Sequence, residues 1–130
     1  MSGPARAGLF VYANDLERMA RFYETVATMA RRHATEELVV LQSPDIQLVV
    51  HRIPQPIADG IVVTSPPQRR ENSALKFFFT VESLADTSAL VSRLGGTVFS
   101  ERWQGPGFVV GNACDPEGNV FQVRESTGSP

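Results

Sequence analysis

A chain of 130 residues, 42% hydrophobic and 20% charged, has the size and make-up of one globular domain. Its formal net charge of −2 supplies no basic face for nucleic acid, and no window approaches the roughly 18 apolar residues of a membrane span. Cys114 is the only cysteine, which excludes an intrachain disulfide and fits a reducing, cytoplasmic setting.

Met1 to Ala7 lacks the apolar core of a signal peptide and reads as a short arm. Gly8 to Ala13 alternates as a strand. Asn14 or Asp15 can cap a helix from Leu16 to about Ala30, whose buried stripe is Leu16, Met19, Phe22, Tyr23 and Val26. A faint strand around Arg32 to Thr35 follows. Two clearer strands, Glu37 to Leu41 and Ile46 to Arg52, flank the turn Gln42-Ser43-Pro44-Asp45. The segment 54–73 is a linker broken by Pro54, Pro56, Pro66 and Pro67. Within it Ile61 to Thr64 could form an edge strand, and Arg69-Arg70-Glu71 is either a solvated loop or an anion-contacting lid.

The same order then returns. Ala74 to Val81 is a strand. Ser83 caps a helix whose stripe is Leu84, Leu90, Val91 and Leu94 and which Gly95-Gly96 stop. Thr97 to Glu101, Phe108 to Ala113 and Asn119 to Glu125 read as three more strands. Between the last two, Asp115-Pro116-Glu117-Gly118-Asn119 has the residues of a type I turn, with Gly118 free to take a positive φ. Ser126 to Pro130 is a tail. A shift of 68 residues lays Asp15-Leu16 on Ser83-Leu84 and Phe22 on Leu90, so a βαβββ unit is written twice.

The capped helix of Tyr12 to Tyr23, the Gly95-Gly96 stop and the Asp115 to Asn119 turn, in this order, resemble the vicinal oxygen chelate (glyoxalase/bleomycin-resistance/dioxygenase-like) superfamily. The resemblance implies an α+β fold: two βαβββ units, about 6–53 and 74–126, form an open half-barrel cleft with the helices outside. Metalloenzymes of that superfamily hold a divalent ion in the cleft, with two His and one or two Glu as the usual ligands. The matching positions here are Gly8, Gln47, Lys76 and Gln122. Glycine offers no donor and a protonated lysine repels a cation, so neither a metal nor another cofactor is expected.

Strand parity sorts the faces. Leu9, Val11, Ala13, Phe77, Phe79 and Val81 should face the helices. Phe10, Tyr12, Gln47, His51, Lys76, Phe78, Gln122 and Arg124 should line the cleft. Aromatic area with a few polar groups suits a small organic ligand, and Lys76 and Arg124 favour an acid or a polarised carbonyl. The plainer alternatives are that both cations pair with rim carboxylates and that His51 is an ordinary hydrogen-bonded strand residue. Trp103, in a Gly/Pro loop, is a ligand-stacking or dimer-contact residue or a core plug. His33 reads as an exposed residue beyond the helix C-terminus, and Cys114 as a buried small residue.

The favoured function is a metal-free small-molecule-binding protein, a homodimer without nucleic-acid or membrane partners. The alternative is a lyase, isomerase or dioxygenase-type enzyme with a non-standard site, using His51 or Lys76 as base. A purely structural or regulatory dimer is the third reading.

Overall fold

Two compact units emerge from the residue contacts, Met1–Val62 and Val63–Pro130. The computed structural model describes residues 5–54, 69–70 and 73–128. The strand expected at Ile61 to Thr64 and residue Glu71 lie outside these described residues.

In the first unit the chain runs β1 (Gly8–Ala13), α1 (Leu16–Val26), β2 (Ala30–Ala34), β3 (Leu38–Gln42) and β4 (Gln47–Arg52). The sheet order is β1-β4-β3-β2, with β1 parallel to β4 and the other pairs antiparallel. Asp15 caps α1 by accepting the Arg18 N–H at 3.2 Å. Leu16, Met19, Ala20, Phe22, Tyr23 and Val26 form its buried stripe, which packs on β3 and β4. The alternation of β1 is plain: Val11 and Ala13 are buried, whereas Phe10 and Tyr12 are exposed.

The helix is shorter than its sequence suggests. It ends at Val26, and Thr28 adopts a left-handed φ of 54°, which turns the chain into β2. Arg31 then reaches back as a fork, bonding both Glu17 carboxylate oxygens at 3.0 Å and Glu24 at 3.1 Å. Ala30 and His33 are therefore strand residues, and His33 pairs with Val40 rather than standing at a helix end.

In the second unit the order is β5 (Phe78–Val81), α2 (Leu84–Arg93), β6 (Thr97–Val98), β7 (Trp103–Gly105), β8 (Phe108–Cys114) and β9 (Val120–Ser126). The sheet runs β5-β9-β8-β6, with β7 also on β8 and β5 parallel to β9. Ser83 caps α2 by accepting the Asp86 N–H at 3.1 Å, and Glu125 adds a carboxylate to the Leu84 N–H at 2.6 Å. At the other end Gly95 takes φ 98° and the Gly96 N–H returns to the Val91 carbonyl at 2.9 Å. Thr87 is buried beside Leu84 and Val91, while Leu90 and Leu94 are only half-buried. Under the helix, Phe121 stacks on Phe77 at 5.7 Å and meets Phe79 edge-on at 6.2 Å.

Several boundaries in this unit differ from the sequence reading, two of them by three residues or more, and Trp103, read as loop, lies in β7. β5 begins at Phe78, not Ala74. The strand expected from Thr97 to Glu101 stops at Val98, because the Arg102 guanidinium folds back onto the Phe99 and Glu101 carbonyls and bends the chain. Pairing with β8 resumes at Trp103. The Asp115 turn forms as its residues require: the Gly118 N–H bonds the Asp115 carbonyl at 3.0 Å and Gly118 takes φ 88°. No described helix is long and apolar enough to cross a membrane.

Candidate functional site

Each sheet turns one face to its helix and leaves the other open. On the open face of the first unit, register places Tyr12 beside His51, Phe10 beside Val49 and Gly8 beside Gln47. The three rings gather: Phe10–Tyr12 centroids are 6.1 Å apart, Phe10–His51 6.4 Å and Tyr12–His51 5.7 Å. Phe10 and Tyr12 are each 56% exposed, a large apolar area for solvent-facing strand positions. His51 Nδ1 lies 2.8 Å from the Arg52 carbonyl, which can only accept. Nδ1 therefore carries the proton of the neutral ring, and Nε2 keeps its lone pair.

On the open face of the second unit, a row crosses the sheet. Thr80 pairs with Arg124, Arg124 with Val110, and Val110 with Trp103. Phe78 pairs with Gln122, which in turn pairs with Asn112. The Arg124 guanidinium carbon sits 3.7 Å from the Phe78 ring centroid and 4.2 Å from that of Phe108. Both contacts are within cation–π range. Arg124 Nε is buried and has no hydrogen-bond partner among the described residues. Phe108 in turn lies over Gly105, where an added Cβ would come within 2.2 Å of the ring. Trp103 is 47% exposed and plugs no core. Lys76 precedes β5 and lines a cavity with Asn112 and Val120.

Thus the structure brings Phe10, Tyr12 and His51 together, and separately Phe78, Gln122, Arg124 and the Trp103 row. Gln47 lies on β4 opposite Gly8, one strand turn from the aromatic trio. Phe108 and Asn112 escaped the sequence reading as site residues. Phe108 and Asn112 become visible only once the β8–β9 register is known. Arg69 stood in a segment already weighed as a possible anion lid.

A search among curated proteins finds no match. A profile of the glyoxalase-like domain, however, matches residues 8–124, nearly the whole chain. The chain belongs to the glyoxalase-like domain family. Solved structures agree on the fold. A glyoxalase-related enzyme from Fulvimarina pelagi is 22% identical, with 94% of this chain and 88% of that one covered and a TM-score of 0.63. A glyoxalase/bleomycin resistance protein/dioxygenase family enzyme from Burkholderia phytofirmans is 13% identical, covering 92% and 97%, at a TM-score of 0.70. The fosfomycin resistance protein FosX from Mesorhizobium loti is 17% identical, covering 98% and 96%, at a TM-score of 0.64.

For this glyoxalase-like chain the divalent ion of the superfamily's metalloenzymes is a poor fit. Gly8 has no side chain, and a Cβ there would lie 2.9 Å from the Gln47 carbonyl, so a larger ligand residue would force β1 and β4 apart. Lys76 brings a cation, and Gln122 a neutral amide. Among the described residues no three His, Cys, Asp or Glu side chains group as a metal would need.

Proposed function

We propose that this chain is a metal-free small-molecule-binding protein of the glyoxalase-like family, taking an organic ligand with an acidic or carbonyl group. The observation that carries this reading is Arg124, whose guanidinium carbon lies 3.7 Å from the Phe78 ring centroid and 4.2 Å from that of Phe108, with its buried Nε–H unmatched among the described residues. An unmatched buried donor costs about 1–3 kcal/mol; no described acceptor neutralises this side of the guanidinium, and a ligand oxygen would meet the half-buried group at its terminal nitrogens. Exposed aromatic area beside it, from Phe78 and Trp103, provides the apolar contact. Phe10, Tyr12 and His51 offer the same kind of surface on the first unit, with Gln47 as a polar neighbour. Gln122 and Lys76 complete the set of polar groups. Structural neighbours include proteins named for fosfomycin resistance, and a small organic compound is the class of ligand assigned here. A cytoplasmic homodimer is part of the proposal, and sedimentation of the purified chain tests it.

The Nδ1 contact of His51 with the Arg52 carbonyl, which leaves the lone pair of the neutral ring on Nε2, favours one alternative, an enzyme of the lyase, isomerase or dioxygenase type with His51 as base. Metal analysis and thermal melts separate the readings. A ligand at a hundred times its Kd adds about 2.7 kcal/mol, several degrees at this size. Aromatic carboxylates should raise Tm, and Mg, Mn, Fe(II), Ni and Zn should not. A stoichiometric metal with a clear shift overturns the metal-free reading. Conversion of a bound ligand at catalytic protein amounts establishes the enzyme instead.

A further inference from the structure

On the first unit, register lays out the open sheet face in three rows. The first holds Gly8, Gln47 and Gln42, the second Phe10, Val49 and Val40, and the third Tyr12, His51 and Leu38. None of these positions carries Asp, Glu, Lys or Arg. The outward face of a sheet ordinarily carries its polar side chains. Here it carries two rings, Phe10 and Tyr12, each 56% exposed. His51 adds a third ring, 5.7 Å from Tyr12 and 6.4 Å from Phe10 between centroids. The first row supplies the polar edge. Gln47 and Gln42 are register partners, and both are half-buried. Each carboxamide offers a donor and an acceptor side by side. Gly8 is fixed by crowding, since a Cβ would come within 2.9 Å of the Gln47 carbonyl oxygen. Its missing side chain leaves the ground between Phe10 and Gln47 open.

We infer that this face is a stacking site for an uncharged, fused heteroaromatic ring with an amino group beside a ring nitrogen, the edge of an aminopurine. The inference rests on the small-molecule-binding reading and deepens it by naming the ring that the first unit takes. Rows two residues apart lie about 7 Å along a strand, so a two-ring heterocycle stacked on Phe10 and Tyr12 brings its edge to the Gln47 and Gln42 amides. A primary amide accepts from the amino group through its oxygen and donates to the ring nitrogen through its NH2, both at once. Charge selects against other occupants. A carboxylate or phosphate finds no cation in these rows. A quaternary ammonium finds no anion there, only the weaker pull of the ring faces. A nucleic-acid strand needs cations along its backbone, which these rows also lack, so the occupant is the free ring.

The test is a ¹H–¹⁵N NMR titration of the full chain with adenine, then with 6-dimethylaminopurine, which keeps the ring and loses the amino donors. Benzoate, followed at the Trp103 indole, reports the Arg124 face separately. Adenine should shift the amides of residues 10, 12 and 47 and bind several-fold more tightly than the dimethyl compound. Tyr12→Ala, at an exposed position, should weaken adenine roughly tenfold, the loss of one stacked ring, and Tyr12→Phe should retain it. Gln47→Leu should abolish the preference between the two purines and leave the dimethyl compound binding as before. No shift at these amides, indifference to Tyr12→Ala, or equal binding of both purines by the unaltered chain overturns the stacking site. Tighter binding of tetramethylammonium or of a short single-stranded oligodeoxyadenylate than of adenine overturns it too. If adenine fails and benzoate still moves the Trp103 indole signal, the stacking site alone fails. If neither binds, the small-molecule reading falls with it.

Discussion

Replacing Asp115 by alanine should be among the more damaging single changes in the second unit. Its side chain is fully buried. One oxygen accepts the Glu117 N–H at 2.9 Å and the Asn119 N–H at 3.0 Å, and the other accepts Asn119 Nδ2 at 2.8 Å. Hydrogen bonds to a charged acceptor contribute about 1.5–3 kcal/mol each, and a buried donor left bare costs about 1–3 kcal/mol. Because the losses share one site and relax together, the expected total is about 3–4 kcal/mol rather than the full sum. For a chain of this length that lowers Tm by roughly 10–15 °C, measured by circular dichroism melts. Asp115→Asn keeps an acceptor for the two backbone donors and should lose about a third as much. A melt of Asp115→Ala within 3 °C of the wild type would refute the reasoning, and so would Asp115→Asn falling as far as alanine.

Gly105→Ala places a methyl within 2.2 Å of the Phe108 ring, so the ring must leave Arg124. Benzoate titration followed by Trp103 fluorescence should show roughly tenfold weaker binding, with the far-ultraviolet circular dichroism unchanged. Glu17 has its carboxyl pKa lowered chiefly by its hydrogen bond to Arg31. A depressed carboxylate pKa contributes stability above the ordinary carboxylate range and loses it as pH falls through the lowered value. The pair is largely exposed on the Glu17 side, so screening holds the effect below about 1 kcal/mol. Melts from pH 6 to pH 3 should therefore show a slightly steeper acid loss in the wild type than in Glu17→Gln. Burial, with the neighbouring Asp115 charge, raises the Cys114 thiol pKa. Aromatic disulfide reagents at pH 8 should leave it unreacted in the native chain and label it on unfolding; rapid native labelling would show that it is accessible.

Where the sequence was legible, the signal was local. Asp15 and Ser83 announced the starts of both helices because a cap needs only its own side chain and the next turn. The Asp115 turn was legible for the same reason. The end of α1 was not. Residues 27–31 carry no glycine or proline, and what draws Ala30 and Arg31 into a strand is pairing with β3 and the fork onto Glu17 and Glu24. The break after Val98 likewise depends on one arginine folding back on carbonyls. Parity correctly separated Val11 from Phe10 and Val123 from Arg124. It could not show that Phe108 also meets Arg124, because that contact needs the register of two strands. Nor could it show that Arg70 docks on a turn 47 residues downstream.

In each unit the first strand finds its parallel partner only in the last, across about forty residues of intervening chain. Antiparallel neighbours joined by short turns close over far smaller separations, so β1 and β5 are the strands expected to dock latest in folding. Those are the strands that carry Phe10, Tyr12 and Phe78. A ligand held on them would leave the folding limb of a chevron almost unmoved and slow the unfolding limb, lengthening the lifetime of the folded chain without hastening its formation.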